Sequence, residues 1–276
     1  STMSTDFDQQ AFRQFERDGY SGVAEGYAKK IALVSAQTND AILNAVNAKT
    51  GVELLDIACG PGLLSAGAIE RGATVSSLDF APNMVAAARS RCPDADVQEG
   101  DAEDLPFDVG RFDAVVCSLG ILHFPNPEVA VDEVFRVLKP GGHYAFSCWT
   151  PPDSNPLMGL VVGSIAAHGT MEIDLPAGPP LFRFGDPAEC ENILGNAGFE
   201  DISVTECPLH WPSASGQTFL NELHTSGARL GPMIAKQSDE NRPAVERAII
   251  QGAEKYQAPE GIRIPSMVNI ATGRKP

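Results

Sequence analysis

Basic residues are scarce in this chain: 20 Lys and Arg stand against 36 Asp and Glu, a formal charge of −16. A field of that sign repels phosphate backbones and anionic bilayers, so neither nucleic acid nor a membrane surface is an expected partner. Long apolar runs are missing too. Gly, Pro or charge interrupts every stretch well before the ~20 residues a bilayer-crossing helix needs. The opening Ser1 to Gln10 has neither the basic flank nor the apolar stretch of a secretion signal, which points to a cytoplasmic protein. Six cysteines occur with no C-x-x-C pair, and several sit in apolar, strand-like contexts where a reduced thiol packs well. The histidines show no H-x-x-x-H spacing and no compact Asp, Glu and His set, so no metal is expected.

What is present suits one large α/β domain. The chain has 276 residues, 43% of them hydrophobic, enough for a sizeable core. From Glu53 to Trp149, short apolar runs bounded by Gly, Pro and Asp alternate with segments of helical spacing, the pattern of βαβ units around a mostly parallel, doubly wound sheet. Strands are predicted at Glu53 to Ala58, Thr74 to Leu78, Phe112 to Ser118 and Gly142 to Cys148. Helices are predicted at Leu63 to Arg71, Pro82 to Arg91 and Pro127 to Leu138, the last stopped by Pro140-Gly141-Gly142. Residues 1–48 read as an N-terminal helical cover, 49–150 as the α/β core, and 151–276 as lid segments and the C-terminal completion of the same domain. Within that last part, Pro151 to Gly185 is rich in Pro and Gly around one apolar helix, Leu157 to Ala167, and reads as a lid or inserted loop. A strand-like run follows at Ile202 to Leu209, residues 217–258 are mostly helical, and Ser266 to Gly273 suits a last strand.

The strongest chemical signal is Leu54-Leu55-Asp56-Ile57-Ala58-Cys59-Gly60-Pro61-Gly62, an apolar strand running into a Gly-rich turn that opens a helix. Such glycines let backbone approach a ligand at a helix N-terminus. A dinucleotide fingerprint also follows a strand, but its third glycine would fall at Ser65. Asp79 ends the second strand, where a carboxylate can accept from both hydroxyls of a ribose; nicotinamide and adenosyl cofactors share that chemistry. Capping of the helix at Pro82 is a second role open to it. The acidic stretch Asp94 to Asp108 reads mostly as a solvated face.

Three further segments separate the possibilities: Gly100-Asp101-Ala102-Glu103-Asp104-Leu105-Pro106-Phe107, Arg111-Phe112-Asp113-Ala114-Val115-Val116, and the run from Glu133 to Gly142. Together with Asp56 to Gly62 they resemble class I S-adenosylmethionine-dependent methyltransferases, in particular the broad group containing ubiquinone and menaquinone biosynthesis enzymes. The resemblance covers about residues 50–150. Asn196-Ala197-Gly198-Phe199 and Ala271 to Lys275 also resemble that family's C-terminal hairpin region. It implies a Rossmann-like fold and S-adenosyl-L-methionine as cofactor, with S-adenosyl-L-homocysteine as product. The loop from Asp56 through Ala58, Gly60 and Gly62 would hold the methionine portion, with Ala58 contributing its carbonyl where relatives often have Gly. By the same resemblance, Asp79 would take the ribose, Phe80 and Met84 the adenine face, Asp101 the adenine amino group and Ala102 a ring nitrogen through its backbone. Ser118, closing the fourth strand, joins this cofactor set. Tyr27 matches an N-terminal aromatic laid over the cofactor, although its spacing with Val23 and Ile31 also suits core packing. His123 corresponds to a position near the transferred methyl group, where a neutral imidazole can accept a proton or merely hold the loop.

The expected function is methyl transfer to a small molecule. A nicotinamide-dependent oxidoreductase and a catalytically silent methyltransferase-like binding protein are the rivals. Trp149, with Leu157, Met158, Phe182 and Phe184, favours a largely apolar acceptor, and lid packing explains the same residues equally well.

Overall fold

The computed structural model describes residues 7–18, 30–226 and 229–276. Five strands form the parallel part of the sheet: β1 (Glu53–Ile57), β2 (Thr74–Asp79), β3 (Asp96–Glu99), β4 (Phe112–Ser118) and β5 (Leu138–Trp149). Two long strands, β6 (Glu200–Ser213) and β8 (Gly261–Arg274), complete it, and the two-residue β7 (Gln257–Ala258) pairs at the tip of β8. The order is β3-β2-β1-β4-β5-β8-β6, with β8 antiparallel to both β5 and β6. Burial explains the strands at the centre: Ala114, Val115, Val116 and Cys117 of β4 are all fully buried, as expected of a strand covered on both faces.

Helices fill both faces: α1 over residues 9–18, α2 (Ile31–Ala36), α3 (Asn39–Ala45), α4 (Leu63–Glu70), α5 (Pro82–Arg91), α6 (Pro127–Val137), α7 (Pro156–His168), α8 (Pro187–Ala197), α9 (Gly216–Ser226), α10 (Leu230–Ala235) and α11 (Arg242–Glu254). In α6 the buried residues Ala130, Val131, Val134 and Val137 recur at helical spacing, and Pro127 occupies its first turn without losing a needed donor. The helix stops at Val137, ahead of Pro140. Leu138 to Gly142 pass into β5 because the chain end competes for their backbone: Gly141 N–H donates to the Lys275 carbonyl at 2.7 Å and Lys275 N–H to that of Gly142 at 2.9 Å.

Two features depart from the sequence reading. β3 was not anticipated, because Asp-Val-Gln-Glu carries a single apolar residue; it exists by pairing with β2 at the sheet edge, where only Val97 is buried. The Pro151 to Gly185 segment was expected as a lid or loop, yet Leu157, Met158, Val161 and Ile165 of α7 join the main hydrophobic core. Only residues 169–182 lack regular structure there.

The strand order reverses between β1 and β4, so their carboxyl ends open a crevice between diverging loops, where ligands sit in open α/β sheets. At its floor two unusual conformations lock together. Ala58 has φ +56° and Leu119 φ +54°, left-handed values that cost an L-residue ~1–2 kcal/mol. A Cβ at Gly120 would stand 2.6 Å from the Ala58 Cβ and 2.7 Å from the Cys117 Sγ. Gly120→Ala should therefore destabilise by about 1–3 kcal/mol. Ala58→Gly removes one of those two clashes, so in that background Gly120→Ala should cost about half as much. Urea midpoints of the two single variants and the double variant measure this, and strictly additive effects would contradict the contact.

Candidate active site

The loop after β1 turns through Ala58 and then Gly60 at φ +53° and Gly62 at φ +90°. Gly62 caps α4, and a Cβ there would stand 3.2–3.3 Å from Ala88 of α5, so the two helices close together only over glycine. Asp79, at the end of β2, ties this loop to the next one. Its Oδ2 accepts from Gly60 N–H and its Oδ1 from Ala81 N–H, both at 2.9 Å. The second bond fixes the turn ahead of α5, whose N-cap is Ala81 with no side-chain cap bond, so Asp79 does not cap that helix as the sequence allowed. The Phe80 N–H also favours the ionised carboxylate, whose two oxygens together have about four acceptor sites, so some acceptor capacity remains.

Burial dominates the electrostatics. It raises the Asp79 carboxyl to about 6 against the backbone N–H groups that favour its ionised form. Burial likewise raises Asp56 to about 7, helped by the nearby Asp79 charge and opposed by the Ser65 hydroxyl, which donates to Asp56 Oδ2 at 2.7 Å. Ser65 Oγ also lies 2.7 Å from Ser77 Oγ, so the position that breaks the dinucleotide fingerprint belongs to a buried polar triad.

Above these loops lies a cavity of about 600 Å³. Of the residues proposed from sequence, Ala58, Gly60, Asp79, Phe80, Met84, Asp101, Ala102, Ser118 and His123 all line it. Asp56 and Gly62 sit behind its wall, where they shape the loop. Trp149 lines a second, smaller chamber of about 80 Å³ that meets the large cavity at Leu119 and His123. Tyr27 lies outside the described residues. Ser118 Oγ is buried with no hydrogen-bond partner among the described residues, in a residue that lines the cavity. With the remaining acceptor capacity of Asp79 and the volume of the cavity, it suits an adenosyl cofactor.

The sequence reading missed the polar face of α1. Gln9 exchanges two 2.9 Å hydrogen bonds with Asn126, Arg13 reaches Asp101 at 3.1 Å and Glu103 at 2.8 Å, and Arg17 reaches Glu99 at 2.9 Å. Part of the acidic stretch is therefore a docking rim and not a solvated face; its partners stand some 80–90 residues earlier, which local charge counting does not register. The half-exposed Arg17 pair contributes little, whereas Arg13 and Glu103 are better shielded. Asp101 also accepts from Glu103 N–H at 2.8 Å.

Glu16, on the same helix face, is almost wholly buried. One oxygen lies 2.7 Å from His123 Nδ1 and the other 3.9 Å from Arg229 Nε, at ion-pair distance without well-directed hydrogen bonds. The polar recurrence of Gln9, Arg13, Glu16 and Arg17 was the available signal for this face. Cysteine chemistry is not evident: five of the six thiols are buried, and burial pushes Cys148 and Cys190 up to about 12. Among the described residues no group of three His, Cys, Asp or Glu is placed to hold a metal.

Residues 55–146 match the family model for a methyltransferase domain. Over 120 residues the chain is 38% identical to demethylmenaquinone methyltransferase of Beutenbergia cavernae, covering 44% of this chain and 50% of that one. It is 28% identical over 254 residues to nocamycin O-methyltransferase of Saccharothrix syringae, covering 84% and 89%. An uncharacterized protein of Mycobacterium bovis is 30% identical over 175 residues, covering 62% of each chain, so this chain spans less than two thirds of that relative. The fold is shared with geranyl diphosphate C-methyltransferase of Streptomyces coelicolor, solved with S-adenosyl-L-homocysteine, at a TM-score of 0.52, 14% identity, and 87% and 78% coverage. Residues 55–146 thus match a methyltransferase domain, on a fold shared with a solved methyltransferase.

Both buried carboxyls sit above their usual 3.8. Between pH 4 and 7 the folded protein therefore holds protons that the unfolded chain has released, and this contribution to stability falls as pH rises. Asp56→Asn should flatten the decline in melting temperature between about pH 5 and 7, the upper part of that window, which thermal scans of parent and variant would detect. Asp79→Ala should weaken S-adenosyl-L-homocysteine binding about tenfold to a hundredfold in calorimetry. In the parent, affinity should drop below about pH 6, where a protonated Asp79 loses acceptor capacity.

Proposed function

We propose that this protein is an S-adenosylmethionine-dependent methyltransferase acting in the cytoplasm on a small, largely apolar molecule without a metal ion. The carrying observation is that the cavity bearing Asp79, Ser118 and Asp101 meets an apolar chamber at one histidine, His123. Relatives named for demethylmenaquinone and nocamycin support a small-molecule acceptor, and the acidic charge argues against nucleic acid and membrane partners. No helix among the described residues is long and apolar enough to cross a membrane. No observation favours nicotinamide chemistry.

Bound S-adenosylmethionine supplies an activated methyl group, so no covalent enzyme intermediate is needed. Asp79 holds the ribose hydroxyls, and Ser118 and Asp101 fix the remaining polar edges. The enclosing loops exclude water and align the acceptor. His123, with Glu16 beside its Nδ1, takes the acceptor's proton as the acceptor's oxygen or nitrogen gains the methyl group and the sulfur–methyl bond breaks.

Thermal shift with S-adenosyl-L-homocysteine, NAD and NADP separates the readings: only the first should raise the melting temperature. Labelled-methyl transfer into a metabolite extract then tests catalysis. His123→Ala should slow it by about 10²–10⁴-fold while calorimetric affinity for S-adenosyl-L-homocysteine stays unchanged. Cofactor binding with no transfer in the parent would leave the silent binding protein as the answer.

A further inference from the structure

The small chamber behind His123 has a chemistry of its own. Its wall is mostly leucine, methionine and tryptophan, yet two buried polar atoms in lining residues lack hydrogen-bond partners among the described residues: Trp211 Nε1 and Ser226 Oγ. Both residues are nearly inaccessible, at 3% and 1% exposure, so bulk water does not satisfy them. Trp211 is held edge-on against Phe219, with ring centroids 5.4 Å apart, which fixes its indole. Buried polar groups left unpaired in a native fold need a partner, an ordered water or a ligand, and an indole N–H can only donate. The partner must therefore bring an acceptor oxygen.

Charge narrows the class further. Arg229 also lines the chamber, but the Glu16 carboxylate faces its guanidinium at 3.9 Å, and the guanidinium lies over the Phe12 ring at 5.5 Å. With that charge offset, the chamber offers an anionic group little gain. Size sets a limit as well: about 80 Å³ is roughly half of a cavity that holds benzene, so it admits a short arm and not a ring.

We propose that this chamber is the acceptor subsite and selects a neutral hydroxy compound whose short apolar arm carries a carbonyl oxygen. Trp211 Nε1 and Ser226 Oγ donate to that carbonyl while the hydroxyl faces His123. The assignment rests on the methyl-transfer reading above and adds the substrate class to it.

Trp149 and Trp211 are the chain's two tryptophans and both line the chamber, so two indole N–H signals in proton–nitrogen correlation spectra report on it directly. Protein loaded with S-adenosyl-L-homocysteine is titrated with 4-hydroxyacetophenone and, separately, with 4-ethylphenol, which has the same outline without the carbonyl. Trp149→Phe assigns the signals. The ketone should bind about tenfold more tightly or better and move the Trp211 N–H downfield, whereas the ethyl compound should leave that signal in place. Ser226→Ala should narrow the difference to about threefold or less. Equal affinities, an unmoved Trp211 signal, or no saturable binding of the ketone to loaded protein would overturn the subsite. Failure of S-adenosyl-L-homocysteine itself to bind in parallel calorimetry would instead overturn the methyl-transfer reading.

Discussion

One buried carboxylate ties together the loops that make the site. Asp79 receives N–H groups from Gly60 and Ala81, so the turn after β1 and the turn after β2 share one anchor. An ionised carboxylate in that interior is costly, and its raised protonation midpoint records the cost. The surrounding strain points the same way. Ala58 and Leu119 hold left-handed conformations beside a glycine with no room for a methyl group, which brings the ends of β1 and β4 close under the cavity.

The N-terminal helix turns an open crevice into an enclosed one. It offers a polar face to an acidic rim, with arginines meeting Glu99, Asp101 and Glu103, and carries Glu16 down to His123. Exposed ion pairs of this kind bind weakly one by one. Asp101 is held by Arg13 here, so the carboxylate proposed for the adenine also docks the helix. The imidazole is therefore oriented by a segment outside the α/β core.

Fold and specificity occupy different parts of the chain. The α/β core is common to proteins with many acceptors, and function is grafted on through sites. The second chamber, proposed above as the acceptor subsite, is lined from β6, α7, α9 and α10, which place Trp211, Leu157, Ser226 and Leu230 around it.

The sequence alone determined the parallel core and brought most of the residues named from it to the wall of the large cavity. Central strands such as Phe112 to Ser118 are continuous apolar runs, and the residues of the glycine loop, Asp79 and Asp101 stand in fixed order close to their strands, so local pattern carries them. Tertiary structure decided what depends on contacts between distant segments. β3 needs its neighbour because Asp-Val-Gln-Glu has almost no apolar signal of its own. The acidic rim becomes a docking surface only when α1 folds back over some 90 residues. Glu16, Ser226 and Trp211 carry no motif; their chemistry comes from being buried beside His123 and the second chamber, and burial of a polar group is a property of the packed chain rather than of its neighbours in sequence.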